Sequence, residues 1–258
     1  MSKEEQLQVT ILGSGTIVPR LDRSGPAVLV RAGGLHVLLD AGPGAMRQLV
    51  AAKSHPALLS AVFISHLHPD HTAELGPLIF ALKYGRFAER EQPLRIMGGR
   101  GIGRFLDILA EAWGRWVALT PQMSVRELDN ERRDRTDLDG LIFQTAPSNH
   151  TDQSLSVRIE YLGKSVVYSG DTGESPELVA LARGADLLLC EASMPDETPV
   201  PGHMTPSAAG RTAAEAGVKT LVLTHLYPEA DAVDIVSQCR RTYSGNLFVA
   251  ADLMEFTA

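Results

Sequence analysis

Residues 66–71, HLHPDH, place three imidazoles and one carboxylate within six positions, directly after an apolar run. Imidazole nitrogens and carboxylate oxygens are ligands that zinc and related divalent metals bind in proteins. The segment is either a solvated polar turn or half of a metal site, because one loop rarely supplies a complete ligand set. The metal interpretation therefore requires further His or Asp residues elsewhere in the chain.

Three further candidate ligands follow other apolar segments of the chain. His150 comes after LIFQTAPSN, Asp171 after SVVYSG, and His225 after TLVLT. Loops at the ends of strands often carry functional side chains, because the sheet holds them rigidly. The complete candidate ligand set comprises His66, His68, Asp70, His71, His150, Asp171 and His225.

Short strands alternate with longer helical stretches and must position these side chains. Gly33-Gly34 and Leu162-Gly163 interrupt two apolar runs and predict hairpins. This mixture of hairpins and strand–helix units predicts an α/β fold in which helices cover sheets within a single domain, residues 1–258. Helical periodicity is found in residues 43–53, 73–84, 102–113, 175–183, 206–217 and 230–241.

Two helix starts are marked by residue type. Pro43 follows Gly42 at a position typical of a first helical turn, and Thr205 precedes Pro206 as an N-cap. The densely charged residues 126–140 predict a solvated loop or edge, because their signs are mixed and nearly balanced. The second helix start bears on the chemistry, because the N-terminus of a helix attracts anions.

Composition excludes several classes of protein. A net charge of −7 argues against broad attraction to nucleic acid, which clustered Lys and Arg would provide. No run approaches the eighteen or so apolar residues that span a bilayer, and no secretory leader is recognisable. Cys190 and Cys239 form no framework and are predicted to be reduced thiols. We therefore expect a cytoplasmic protein with no membrane partner.

The motifs together resemble those of the metallo-β-lactamase-fold hydrolases, whose H-x-H-x-D-H signature, later His, later Asp and final His occur here in the same order. The likeness includes LGSGTIVP (12–19) and LLDAGPG (38–44). Within that family, SGDTGES, CEAS and GHMTPSAAG are similar to successive motifs of the ribonuclease Z-like branch. The resemblance implies an αββα sandwich with the metals at one edge, and a homodimer.

The resemblance also implies how the candidate ligands divide between two metal ions. Asp171 would bridge the two ions. Zinc suits such imidazole-rich sets, although manganese or iron fits the same ligands. The first ion would be held by His66, His68 and His150, and the second by Asp70, His71 and His225.

Four residues are expected to contribute to the chemistry or to support the ligands. The resemblance implies that Asp70 and His203 are catalytic, with His203 as a general acid or transition-state stabiliser, and that Thr205 lies near the substrate. Asp40 ends an apolar strand, so a buried carboxylate there needs partners. It is predicted either to cap the following glycine-rich turn or to accept a hydrogen bond from a ligand imidazole.

Two divalent ions about 3.5–4 Å apart can share a metal-bridging hydroxide, because metal binding brings the pKa of water to about 7. The same ions neutralise charge on the oxygens of a phosphodiester. In ribonuclease Z proper, a long arm that grips tRNA is inserted after the fourth metal-ligand motif, in the stretch that here separates His150 from Asp171. Here residues 151–170 predict only a hairpin. We therefore expect a phosphodiesterase whose partner is a small phosphodiester or nucleotide.

Three alternatives to this prediction stay open. A tRNA 3′-processing endoribonuclease (ribonuclease Z) would act on RNA with the same ligands. An arylsulfatase-type sulfate-ester hydrolase would use similar charge stabilisation and a similar proton donor. A non-catalytic scaffold would retain the fold alone, and the intact ligand set argues against it.

Overall fold

The computed structural model describes residues 6–85 and 93–258 of the chain, and these residues form two seven-stranded sheets. The strands of the first sheet are β1 (Gln8–Gly13), β2 (Ala27–Ala32), β3 (Leu35–Leu39), β4 (Leu59–Ile64), β5 (Leu94–Gly99), β6 (Met123–Leu128) and β14 (Glu255–Thr257). The strands of the second are β7 (Asp134–Leu138), β8 (Leu141–Pro147), β9 (Leu155–Tyr161), β10 (Lys164–Tyr168), β11 (Leu187–Glu191), β12 (Thr220–Thr224) and β13 (Asn246–Val249).

Helices lie between the strands along the chain. Short 3₁₀ turns occur at Pro56–Leu58, Gly114–Trp116 and Pro228–Ala232. The α-helices are α1 (Ala45–Ala51), α2 (Pro69–Thr72), α3 (Leu75–Tyr84), α4 (Ile102–Trp113), α5 (Pro176–Ala182), α6 (Pro206–Ala216) and α7 (Ile235–Arg240).

Three apolar clusters define the layers. The central cluster joins residues of both sheets, such as Val9 and Phe63 of the first and Phe143 and Ile159 of the second. A second cluster packs α1, α3 and α4 against the outer face of the first sheet. A third packs α5, α6 and α7 against the outer face of the second. Burial on both sides explains why the central strands are almost wholly apolar, and it confirms the predicted αββα sandwich.

Strand direction brings the candidate ligands to one edge. The first sheet has the order β14-β1-β2-β3-β4-β5-β6, with β3 to β6 mutually parallel. The second has the order β13-β12-β11-β10-β9-β8-β7, with β10 to β13 mutually parallel. Antiparallel pairing of β9 with both β8 and β10 makes β8 run in the direction of β10. The carboxyl ends of β8, β10, β11 and β12 therefore share one edge of the sheet.

One predicted helix differs from the structure, and one predicted edge is confirmed. The helix predicted over 230–241 is divided into a 3₁₀ turn and α7, because the Asp234 carboxylate accepts a hydrogen bond from Ser237 N (2.9 Å) and starts a new helix. The solvated loop or edge predicted over 126–140 is an edge: the segment contains part of β6 and all of β7, which are edge strands of the two sheets. Its charged side chains alternate along exposed edge strands, which confirms the predicted solvated edge.

Pro43 does not begin a helix. Helix α1 begins after Gly44, which has a left-handed φ of 94°. Its first amides are capped by a side chain distant in sequence: Glu74 accepts hydrogen bonds from Gly44 N (2.8 Å) and Met46 N (2.6 Å). Local residue types cannot indicate a cap supplied by another helix segment.

Two compositional predictions can be compared with the structure. Cys190 and Cys239 are buried free thiols, as predicted. Within residues 6–85 and 93–258, no helix has the length and apolar character needed to cross a membrane.

Candidate metal centre

The predicted ligands converge from separate chain segments. His66 and His68 follow β4, and Asp70 and His71 lie in the short helix α2. The other three follow β8, β10 and β12. Potential donor atoms meet in three groups, within each of which they lie no more than 4.8 Å apart. The groups are His66, His68, His150 and Asp171; Asp70, His71 and His225; and Asp171, His203 and His225.

The imidazoles of His66, His68 and His150, the first trio, lie around one oxygen of Asp171. His66 Nε2 lies 3.7 Å and His150 Nε2 3.9 Å from Asp171 Oδ2, and His68 Nδ1 lies 3.2 Å from His150 Nε2. The other ring nitrogen of His150 donates to the carbonyl of Gly202 (3.0 Å). That contact leaves the Nε2 lone pair of His150 directed at the cluster.

Asp70, His71 and His225, the second trio, lie near the other oxygen of Asp171. His71 Nε2 and His225 Nε2 each lie 3.3 Å from Asp171 Oδ1. Asp70 Oδ2 lies 3.6 Å from His225 Nε2 and 3.9 Å from His71 Nε2. Because its two oxygens face different trios, Asp171 has the position of a bridge between them.

Two buried polar atoms of the cluster make no hydrogen bond with the protein. His66 Nε2 and Asp171 Oδ1 are inaccessible to solvent and make no hydrogen bond. An unsatisfied buried polar atom is costly, so each calls for a partner of another kind. A divalent cation satisfies a nitrogen lone pair and a carboxylate oxygen together, so these donors suit a divalent metal ion.

The spacing of the ring nitrogens also suits a metal ion. His71 Nε2 and His225 Nε2 lie 3.4 Å apart. Two nitrogens bound at about 2.0–2.1 Å by one tetrahedral ion are separated by about 3.3 Å. Both rings have their Nδ1 atoms beside protein oxygens, so when neutral they face each other with lone pairs. A cation between the rings removes that repulsion.

Asp40 supports the second trio from behind. Its carboxylate accepts hydrogen bonds from His71 Nδ1 (2.7 Å), Ser65 N (2.7 Å), Ser65 Oγ (2.8 Å) and Tyr168 OH (2.8 Å). Of the two alternatives for Asp40, the structure has the contact to a candidate ligand imidazole, while the turn amide of Gly44 is bound elsewhere. The contact fixes the orientation of the His71 ring.

His203 lies beside the cluster and is bound to an acidic side chain. Its Nδ1 lies 3.1 and 3.2 Å from the two oxygens of the Glu191 carboxylate and 4.0 Å from Asp171 Oδ2. Glu191 also accepts from Thr172 N (2.6 Å) and contacts Ser193 Oγ. With Nδ1 donating to Glu191, the Nε2 atom of His203 is free to act toward a substrate.

Burial and charge shift the pKa values of the cluster. Burial, assisted by the neighbouring His71, lowers the pKa of His66 to about 2, so its ring is neutral. Burial opposes charge on His71, but Asp171 and Asp40 outweigh it and raise the pKa of that ring well above its ordinary value. For His203, burial is outweighed by the Glu191 carboxylate, which raises its pKa. His203 is therefore suited to hold a proton near neutral pH.

Two site residues have unusual backbone conformations. Asp40 and His225 have φ values of 58° and 57°, in the left-handed region that residues other than glycine rarely adopt. Both follow directly after strands, where the turn aims the side chain back over the sheet edge. Such conformations cost about 1–3 kcal/mol and cluster at functional sites.

The remaining predicted residue, Thr205, caps α6. Its hydroxyl accepts from Ala208 N (3.4 Å). Together with His203, Ser207 and Arg211, it lines a cavity of about 430 Å³ beside the cluster. A substrate bound to the cluster can extend into this cavity.

Sequence reasoning did not assign roles to Glu191 and Ser193. Both belong to CEAS, which carried a family likeness but no chemistry. An acidic residue that ends a fully apolar strand is a signal for a buried functional carboxylate, and it was available in DLLLCE. The contact with His203 depends on the loop after β11, which the sequence pattern does not indicate.

Comparisons with known proteins agree with this geometry. Residues 36–226 match the family described as Beta-lactamase superfamily domain. The chain is 36% identical to a protein named Ribonuclease Z from Mycobacterium marinum over 245 residues, covering 86% of this chain and 87% of that one.

Solved structures show the same fold. The metallo-beta-lactamase fold protein YhfI from Bacillus subtilis matches with a TM-score of 0.83 and 23% identity, over 98% of this chain and all of that one. The short form of human tRNase Z matches with a TM-score of 0.79 and 23% identity, over 96% of this chain and 98% of that one.

Proposed function

The chain belongs to the beta-lactamase superfamily, and from that premise we propose that it is a dinuclear-metal phosphodiesterase acting on small phosphodiesters or nucleotides. It is a metal-dependent hydrolase of ester bonds, and its His/Asp cluster suits divalent metals. The observation that carries the finer proposal is the position of Asp171, whose two oxygens face two separate ligand trios.

The proposed ligands divide as the spacing suggests. His66, His68 and His150 would hold one ion, Asp70, His71 and His225 would hold the other, and Asp171 would be shared between the two groups. When bound, two divalent ions supply a water-derived nucleophile at neutral pH and neutralise charge that develops on phosphate oxygens. Zinc is the proposed metal, because the set is rich in imidazole.

His203 is the proposed general acid. Its Nδ1 is bound to Glu191, so Nε2 carries the proton that a departing alkoxide requires. Asp70 is proposed to orient the attacking water as well as to bind metal, because it is slightly exposed while His71 behind it is not. Thr205, at the N-terminus of α6, is proposed to lie near the phosphate.

The size of the substrate is argued from the segment between His150 and Asp171. Strands β9 and β10 are joined by the turn Leu162-Gly163, whose φ values of 47° and 78° are those of a tight hairpin. No long arm is inserted there to grip a large RNA, and the net charge of −7 gives no general attraction to one. A small phosphodiester requires only the metal centre and the cavities beside it.

Ribonuclease Z activity is the second candidate. Relatives bearing that name are 35–36% identical over 86% of the chain. The central chemistry would be the same, so the two candidates differ only in the substrate.

One experiment separates the candidates. Zinc-loaded protein is assayed on bis(p-nitrophenyl) phosphate, a cyclic nucleotide, a tRNA precursor with a 3′ trailer and p-nitrophenyl sulfate, with Asp171→Asn alongside. Asp186→Asn is the matched control, because Asp186 precedes β11 at the opposite sheet edge. We expect hydrolysis of the two small phosphodiesters, lost in Asp171→Asn alone. Cleavage of the precursor alone would favour ribonuclease Z, and turnover of the sulfate alone would refute a phosphodiesterase.

Assembly is a further prediction. A homodimer is expected from the family resemblance, and exposed aromatic side chains on one surface offer a contact. Sedimentation equilibrium tests for the dimer. Trp116→Ser is expected to weaken a dimer that forms through this aromatic surface. The surface comprises Phe80, Tyr84, Trp113 and Trp116.

A further inference from the structure

Ser193 joins the general-acid pair to one of the candidate metal ligands. It is fully buried, two residues beyond the end of β11. Its Oγ lies 3.0 Å from His225 Nδ1 and 3.3 Å from His203 Nδ1, and it donates a short hydrogen bond to Glu191 Oε2. A single hydroxyl therefore contacts three functional side chains.

The direction of each hydrogen bond follows from counting protons. A serine hydroxyl has one proton and two lone pairs, and a carboxylate can only accept. The Ser193 proton must therefore point to Glu191, so the oxygen can only accept from His225. His225 Nδ1 must carry a proton, and a neutral imidazole then has a bare Nε2. That nitrogen is the atom 3.3 Å from Asp171 Oδ1.

The Glu191 carboxylate that fixes this direction is itself held in place. Glu191 Oε1 accepts from Thr172 N (2.6 Å), the residue after Asp171. In the parallel register, Glu191 also lies opposite Thr224, which precedes His225. The ends of β10, β11 and β12 are thus connected through one carboxylate and one hydroxyl.

We propose that Ser193 is a positioning residue that sets His225 in the tautomer able to bind metal, while linking it to the carboxylate that holds His203. His71 and His150 donate their Nδ1 proton to a carboxylate and a backbone carbonyl. For His225 the corresponding acceptor is a hydroxyl, and Glu191 gives it a fixed direction. The inference rests on the proposed metal role of His225.

The wild-type protein tests the tautomer directly. Long-range ¹H–¹⁵N spectra of ¹⁵N-histidine-labelled, zinc-loaded protein identify which nitrogen of each ring carries the proton. We expect the proton of His225 on Nδ1, with its signal assigned by its loss in His225→Gln. A proton on Nε2 would overturn the inference, because that nitrogen cannot then bind zinc.

Variants test the consequence for metal binding. Zinc affinity is measured by chelator competition for Ser193→Ala, for Ser193→Thr, which keeps a hydroxyl, and for Ser60→Ala, which removes a buried hydroxyl of β4 away from the cluster. Loss of such a supporting hydrogen bond typically weakens metal affinity by about 10–100-fold. We expect that loss in one of two zinc-binding steps of Ser193→Ala, with both steps retained in the Thr and Ser60 variants.

The outcomes separate this inference from the proposed function. Two zinc ions in the wild type and unchanged affinity in Ser193→Ala would overturn the inference alone, and equal weakening in Ser193→Thr would overturn it as well. A wild type that binds a single zinc ion, with the same affinity as His225→Gln, would remove the metal role of His225, and both proposals would fail.

Discussion

His203 is the residue whose role depends most on the substrate. A general acid accelerates departure of a poor leaving group by about 10²–10⁴-fold, but a nitrophenolate leaves without needing a proton. We therefore expect His203→Ala to slow hydrolysis of an alkyl nucleotide ester much more than that of bis(p-nitrophenyl) phosphate. Steady-state kcat on the two substrates measures the difference. Equal losses on both would indicate that His203 binds phosphate or metal instead.

Residue types and spacing predicted which side chains meet, but not how they are held. His66 to His71 and the three strand-end residues were identified because metal ligands belong to a few residue types. Tyr168, which donates to Asp40 from the opposite sheet, could not be identified as part of the site. Its sequence neighbours are those of any buried strand, and the contact exists only because the two sheets pack together.

Strand register is the element-scale feature that assembles the site. Glu191 lies opposite Thr224 across β11 and β12, and Tyr168 lies opposite Leu189 across β10 and β11. The apolar runs predicted most of these strands, because fully buried parallel strands are continuous in hydrophobicity. Strand order was not predictable from them, because every such run can pair with any other. The family resemblance implied the αββα layers but no strand order.

Asp186 directly precedes β11, and its contacts predict how the stability of the fold depends on pH. Burial raises the pKa of its carboxyl, but hydrogen bonds from Lys219 Nζ (2.7 Å) and Ser165 N (2.9 Å) outweigh burial and hold it below the ordinary value. A carboxyl with a lower pKa in the folded state stabilises the fold above its unfolded pKa of about 3.9. That stabilisation is lost as the pH falls through the folded pKa.

We expect Asp186→Ala to lower the free energy of unfolding by about 1–2 kcal/mol at pH 7, because Ser165 N loses its acceptor. The difference from wild type should shrink as the pH falls below about 3.9. Urea unfolding at pH 7 and at a pH below about 3.9 measures this difference in the free energy of unfolding. The exposed Asp107→Ala of α4 is the control. A difference that grows in acid would contradict the account.

At the scale of the whole molecule, the candidate metal centre lies where the two sheets meet. Asp40 of the first sheet is bonded to Tyr168 of the second, and Ser65 O accepts from Leu155 N (2.9 Å) across the same edge. Candidate ligands come from both sheets, so a bound ion crosslinks them. The αββα layering was predictable from the family resemblance, whereas the alternation of elements alone indicated only sheets covered by helices.

Metal binding should therefore stabilise the entire fold. Ligand at 100 times its Kd adds about 2.7 kcal/mol, and for a chain of this size each kcal/mol raises Tm by about 2–4 °C. We expect excess zinc to raise the Tm of the apoprotein by at least about 5 °C, and by much less in Asp171→Ala. Differential scanning calorimetry measures the shift. An equal rise in both proteins would place the zinc elsewhere.

The most direct test of a dinuclear phosphodiesterase combines a metal count with turnover in the same sample. Zinc is measured by inductively coupled plasma mass spectrometry in wild-type and Asp171→Ala protein, and hydrolysis of bis(p-nitrophenyl) phosphate is followed in both. The account predicts two zinc ions per wild-type chain with turnover, and loss of turnover with fewer zinc ions in the variant. Two bound zinc ions without phosphodiester hydrolysis in the wild type would contradict it.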